Sequence, residues 1–248
     1  MGLSQDNIDG QTPLDEAEKE GLRIRSIATH AELNEFEQQN IEQAVQWVMG
    51  RSIKADTLFS ESFIRLLHKR MFTEVWTWAG EFRRSNKNIG IDKWQIPLAL
   101  KSLLDDARYW HENKVYSPDE LALRFKHRLV SIHCFANGNG RHSRLVADIV
   151  VEKLYHLPVF SWGASLSLSQ GASSLSSAND ARSAYLKAVK AADHGDYGLL
   201  LKFARSWISC RSNRCFGLLW IEAQQKRKIQ KADLSFWFFF NQILVGEK

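Results

Sequence analysis

One twelve-residue stretch holds most of the chemistry open to this chain: His133-Cys134-Phe135-Ala136-Asn137-Gly138-Asn139-Gly140-Arg141-His142-Ser143-Arg144. Gly138 and Gly140 let the backbone take positive φ, so several amide N–H groups can converge at the start of a following helix. A helix start of this kind attracts anions, phosphate in particular. Arg141 and Arg144 stand three apart, so they share a face of the first turn and add two forks for phosphate oxygens. Two arginines at that position oppose the helix dipole, which argues that an anion belongs beside them. His133 stands just before the nest, where an imidazole can take a proton from a group attacking the bound phosphate. These residues together describe a phosphoryl- or nucleotidyl-transfer site. Phe135 is expected to anchor the loop in the core, and Cys134 has no reason to be a nucleophile in a site that already has its own base.

Two helices must hold this stretch. Upstream, Ser117 caps, Pro118 suits the first turn and Glu120 completes a capping box. Leu121, Phe125, Leu129 and Ile132 follow at helical spacing, so His133 arrives at a helix end. Downstream, Leu145-Val146-Ala147 and Ile149-Val150-Val151 are apolar all round, as in a helix through the middle of a core, and Pro158 comes shortly after.

Further helices are expected over Thr29–Met49 and Thr57–Phe72. In the first, Leu33, Phe36, Ile41, Val45 and Val48 lie on or near one face, with Glu32, Glu35 and Glu37 on the solvated side or in the first turn. The second carries Phe59, Phe63, Leu66 and Leu67. Ile89-Gly90-Ile91 is the one good short-strand signal and predicts a hairpin. Leu98–Trp110 reads as another helix, and Ser161–Ser177, rich in Ser and Gly, as a connector. A helix capped at Asn179 or Asp180 runs through Tyr185, Leu186 and Val189, and Leu199–Trp207 continues as the last.

The His133–Arg144 stretch resembles the signature of the Fic/Doc (Fido) family, H-x-F-x-[D/E]-G-N-G-R-x-x-R. The resemblance runs from about Phe59 to Ser206. Trp78-Ala79-Gly80-Glu81-Phe82-Arg83 resembles the W-A-G-x-x-R segment, and Asn86 to Trp94 the flap. Arg182-Ser183-Ala184-Tyr185, followed by Ala192-Asp193, is similar to the last conserved helix. Thr12-Pro13-Leu14-Asp15 together with the motif is similar to the bacterial subgroup called mobile mystery protein B. One position departs from the signature: its metal-binding acid is Asn137 here.

The resemblance implies an all-α, mainly helical Fic fold with one small β-hairpin flap. It implies a Fido catalytic domain over 59–206; beside it stand an N-terminal helical segment over 1–58, a candidate regulator, and a basic and aromatic tail over 207–248 that the resemblance does not cover and whose role is unknown. It implies a protein adenylyltransferase that moves AMP from ATP to a Ser, Thr or Tyr hydroxyl of a target protein, in a toxin-like setting with a separate antitoxin. His133 would be the base. The amides of Gly138 to Gly140, with Asn139, would hold the α- and β-phosphates, and Arg141 would steady the β-phosphate. Arg144 would meet the γ-phosphate or an inhibitory Glu. Tyr185 and Asp193 match positions near the adenine, and Asn88, Ile89, Gly90 and Ile91 would form the flap that clamps the target beside His133 by strand addition. Mg2+ would accompany ATP, with Asn137 offering an uncharged oxygen where the hard cation favours an anionic one. The alternatives are a nucleotide-binding interaction module without turnover, and another phospho-group transferase using the same base.

The family's inhibitory pattern, [S/T]-x-x-x-E-[G/N], is met only in part. Thr12 to Glu16 matches until Ala17, and Glu20-Gly21 matches the end while Glu16 occupies the Ser/Thr position. An acidic capped N-terminal segment is therefore the expectation.

Composition narrows the partners. The chain has 248 residues, 44% hydrophobic and 25% charged, enough for one large domain with its own core. The nine tryptophans are many, and several are expected to fill a helical core. The net charge of +5 is uneven: from Cys210 onward seven Lys/Arg face three Asp/Glu, leaving 26 against 25 elsewhere. Nucleic-acid binding is thus not expected of the core domain. Cys134, Cys210 and Cys215 lack zinc-like spacing, and with no signal peptide apparent the expectation is reduced thiols in the cytoplasm. The tail's Phe236-Trp237-Phe238-Phe239-Phe240 run is too short and interrupted to span a bilayer, so no transmembrane segment is expected.

Overall fold

The computed structural model describes residues 16–163 and 175–206. The chain divides into two compact units, Met1–Leu157 and Pro158–Lys248. The readings made above for Thr12 to Asp15, for residues 164–174 and for the tail after Ser206 lie outside the described residues.

Described elements are helical: α1 (Glu16–Lys19), α2 (His30–Met49), α3 (Ala55–Leu58), α4 (Glu61–Phe72), α5 (Ile96–Glu112), α6 (Pro118–Ile132) and α7 (Asn139–Tyr155) in the first unit. The second unit contributes α8 (Leu175–Asp193) and α9 (Gly198–Ala204), which pack on each other. A short 3-10 turn, Lys93–Gln95, leads into α5. The mainly helical expectation holds, and no described helix is long and apolar enough to cross a membrane.

In the first unit α7 is the central rod. Eleven of its residues, from Asn139 through Val151, are buried, so little of its surface meets water. Helix α6 packs along α7, α5 along α6, and α2 along α4. Each start has a local cause. Thr29 and Glu32 form a complete capping box on α2. Ser117 accepts from the Glu120 N–H at 3.4 Å, but Glu120 turns its own carboxylate to Arg124 at 2.9 Å, so only half of the expected box forms.

The structure corrects three readings of the sequence. The single helix expected over Thr57–Phe72 is broken between Leu58 and Glu61, because the Ser60 hydroxyl donates to Thr57 O at 2.6 Å and accepts from Phe63 N at 3.2 Å. This ends α3 and caps α4. The helix expected from Asn179 or Asp180 begins at Leu175. The hairpin expected at Ile89-Gly90-Ile91 is a loop of turns and bends without a strand ladder. Its carbonyls are tied by a side chain instead: Arg83 donates to Ser85 O at 2.8 Å and to Ile91 O.

An extended strap after α1 lies along the Val75–Trp78 segment. Arg23 N–H donates to Val75 O at 2.8 Å and Thr77 N–H to Gly21 O at 2.9 Å, with an antiparallel bridge between Leu22 and Trp76. Glu18 forms an ion pair with Lys87 and accepts from the Ser85 hydroxyl at 3.2 Å, joining the strap to the loop that follows Arg83.

Candidate active site

Helix α6 stops because His133 adopts the left-handed conformation, φ 57° and ψ 61°, while its N–H still bonds Leu129 O at 3.3 Å. A non-glycine residue at such φ is uncommon and turns the chain sharply out of the helix. The loop then closes on itself through Asn139, whose Oδ1 accepts from Phe135 N at 3.0 Å and whose Nδ2 donates to Phe135 O at 2.8 Å. Asn137 Oδ1 accepts from Gly138 N at 2.6 Å. Gly138, φ 75°, caps α7 in a conformation that costs glycine nothing. Its Cβ position lies 2.4 Å from the Phe72 ring, so no larger residue fits there. Gly140, by contrast, has ordinary room around it.

His133 is 4% exposed. Its Nδ1 lies 3.3 Å from Val130 O, an acceptor only, so Nδ1 carries the ring proton and the lone pair belongs to Nε2. Burial pulls its pKa down from 6.5 to about 4, with the charges of Arg83 and Lys87 adding to the shift against the Val130 bond. The imidazole is thus neutral at pH 7, the form that accepts a proton.

Behind the loop stand residues to which the sequence reading assigned no role. His68, fully buried on α4, accepts from Gly80 N–H at Nδ1 (3.0 Å) and donates from Nε2 to Asn137 O (3.1 Å). Its ring stacks on Phe135 with centroids 3.7 Å apart, so Phe135 anchors the loop as expected. Burial, with His142 close by, holds the His68 pKa well below 6.5. His142 donates to Ile64 O at 3.0 Å, and desolvation takes its pKa to about 3. Arg83, 4% exposed, donates through Nε to His133 O at 2.7 Å, and its N–H bonds Cys134 O at 2.9 Å. One guanidinium therefore grips both the motif and the loop over Ser85–Ile91. Spacing held the clue for His68, which lies on the same helical face as Ile64, Leu67 and Met71.

Of the residues expected to form the flap, Gly90 lies against His133 and Ile91 against Ile132. Gly90, φ 97°, approaches so closely that a Cβ there would lie 2.5 Å from His133 Cβ, and Ile91 N–H reaches Ile132 O at 3.5 Å. Ile89 is 41% exposed. Cys134 is buried, and desolvation pushes its thiol up to about 12, which keeps it inert.

Arg144 is almost fully buried in the first turns of α7. Arg141 is engaged by a residue the sequence reading placed on the solvated side of α2. Glu37 is 2% exposed, and its Oε2 meets Arg141 Nη1 at 2.6 Å. The reason is register: Glu37 falls at helical spacing between Leu33 and Ile41, on the buried stripe. Tyr185 and Asp193 belong to α8 of the second unit, where Tyr185 is buried with its ring 5.5 Å from Phe203.

As a metal site the loop offers little. Asn137 supplies one neutral oxygen, and among the described residues no group of three or more His, Cys, Asp or Glu could hold an ion. The donor set does not fit a metal cage built by the protein alone.

The sequence model of the Fic/DOC family matches residues 58–151. A protein adenylyltransferase Fic from Aedes aegypti is 27% identical over 139 residues, which are 54% of this chain and 27% of that protein. This chain thus spans about a quarter of that relative. Among solved structures, Fic-1 (residues 134–508) from C. elegans superposes with a TM-score of 0.56 at 17% identity, over 85% of this chain and 57% of that one. BepC from Bartonella tribocorum, solved with bound AMPPNP, gives 0.54 at 16% identity, over 77% of this chain and 97% of that one. At such identities the structural likeness speaks for the fold.

Proposed function

We propose, from the premise that residues 58–151 of this chain are a Fic/DOC family domain, that the protein transfers AMP from ATP to a Ser, Thr or Tyr hydroxyl of a target protein. The observation that carries the reading is His133: a buried, neutral imidazole with its lone pair on Nε2, at the left-handed turn that opens the motif loop. The Nε2 atom takes the proton as the target oxygen attacks the α-phosphorus. A new P–O bond forms, the α–β bridge breaks, and pyrophosphate leaves. The backbone amides at the start of α7 and the Arg141 guanidinium hold the phosphates. Since the Asn139 side chain is committed to Phe135, its backbone N–H is the group left for phosphate. Gly90 keeps the flap close to His133, so a target segment laid along Asn88–Ile91 brings its hydroxyl to the base. Mg2+ would arrive on the triphosphate rather than in a protein cage.

Incubation with ATP labelled at the α- or γ-phosphate tests the reading. Label entering protein from the α-position alone supports adenylyl transfer, whereas γ-label would mean a kinase-like transfer. Asn137, uncharged where the signature has an acid, favours one second reading: a domain that binds nucleotide without turnover. Nucleotide binding with no label transfer from either position would select it.

A further inference from the structure

Glu37 stands out among the buried charges, because it lies outside the motif and yet holds one of the motif's two arginines. Its carboxylate is used on both oxygens. Oε1 accepts from Trp76 Nε1 at 2.5 Å, and Oε2 meets Arg141 Nη1 at 2.6 Å. Trp76 is fully buried and stacks on Trp78, with ring centroids 4.9 Å apart. The carboxylate therefore cannot swing. The far side of Arg141 is bounded as well: its guanidinium carbon sits 5.0 Å over the Phe72 ring, the ring that also lies under Gly138. Helix α2, the Trp76 segment and helix α4 thus converge on one guanidinium at the mouth of the α7 helix start.

A cation in the first turn of a helix works against the helix dipole, and a nearly buried one also costs desolvation. Glu37 offsets both. It engages Nη1, and among the described residues no other hydrogen-bond partner takes up Nε or Nη2, so an arriving anion has donors to meet. An arginine held in one rotamer loses little entropy when it binds, which is the general advantage of preorganisation.

We propose that Glu37 is a positioning residue: it fixes the Arg141 guanidinium beside the α7 helix start, ready for the β-phosphate of the nucleotide. The inference rests on the nucleotide-binding reading above and adds a residue from α2 to it. Glu37 acts through Arg141 and does not itself touch the phosphate.

Binding of ATP, ADP and AMP to the full chain, measured by calorimetry, tests this on wild type, Glu37→Gln, Glu37→Asp, Arg141→Ala and the Glu37→Gln/Arg141→Ala double variant. Glu37→Gln keeps an oxygen for Trp76 but turns an amide NH2 toward Arg141. It should weaken ATP and ADP about tenfold or more, the scale of one charge-assisted contact, and leave AMP, which has no β-phosphate, unchanged. Glu37→Asp should restore part of the loss. In the Arg141→Ala background the Gln substitution should add nothing. Equal weakening of all three nucleotides would make Glu37 merely structural and overturn the proposal, as would unchanged or tighter ATP binding in Glu37→Gln. A wild-type chain that binds neither ATP nor ADP would overturn the nucleotide-binding reading itself, and this proposal with it.

Discussion

His133 combines two properties that a proton acceptor needs. It is buried enough to stay neutral far below pH 7, and its Nδ1 is fixed on Val130 O so that Nε2 carries the lone pair. Replacing it with Ala should lower transfer by about 10²- to 10⁴-fold, the usual contribution of a general base, while ATP binding stays within a few-fold of wild type. Transfer near the wild-type rate would remove the base assignment. Asn137 calls for the opposite kind of change. Asn137→Asp returns a charge to a loop where Oδ1 now accepts from Gly138 N. If the missing charge limits the reaction, the variant should need less Mg2+ for half its maximal rate and converge with wild type at saturating Mg2+. Weaker ATP binding with no shift along the Mg2+ titration would mean that the carboxylate only repels the phosphates.

Between elements, the ring of Phe72 joins α4 to the start of α7. Its place under Gly138 leaves no room for a Cβ, and Gly138 is also at positive φ. Gly138→Ala therefore carries two penalties, left-handed strain and overpacking, for a combined cost of about 2–5 kcal/mol. Thermal unfolding should show it as a marked drop in Tm, whereas Gly140→Ala, with its nearest neighbour 3.7 Å away, should cost little. Equal drops for the two would mean that neither the φ nor the ring decides the position. The motif loop is held from behind by His68 and from the flap side by Arg83.

At the scale of the described molecule, burial of the neutral histidines His68, His133 and His142 sets an acid limit on stability. His68, His133 and His142 all have folded pKa values below 6.5, each mainly through desolvation. The charges facing them act the same way: Arg141 and His142 on His68, and Arg83 and Lys87 on His133. Between the folded values and about pH 6.5 the unfolded chain binds more protons. Their contribution is therefore complete above that pH and is lost as pH falls, at up to about 1.4 kcal/mol per unit for each histidine. The exposed carboxyls of Glu32, Asp92 and Asp105, held below their usual range by hydrogen bonds, matter only at lower pH. Denaturant unfolding at pH 7.5 and pH 5 should show a clear loss of stability, and His142→Gln should reduce the slope by one proton's worth. A flat profile would mean that these imidazoles are not kept neutral by the fold.

Apolar periodicity and the turn residues of one loop were enough to read from the sequence a helical domain and its α6–loop–α7 core, with His133 at the helix end. Those features rest on local rules: a helix buries the face that its spacing defines, and glycine takes the positive φ at Gly138, although Gly140, expected to do the same, is an ordinary helical residue of α7. The tertiary structure alone decided what surrounds the loop. Glu37 looked solvated because acidic residues usually are, although its register puts it on the buried stripe of α2; the cation that pairs with it lies on another helix, more than a hundred residues away in the chain. The hairpin signal at Ile89–Ile91 yielded to Arg83, whose donors satisfy carbonyls that a second strand would otherwise have taken. His68 joins Gly80 to Asn137 only after α4, the Gly80 turn and the motif have packed together: spacing along α4 marks its burial but not the partners it meets.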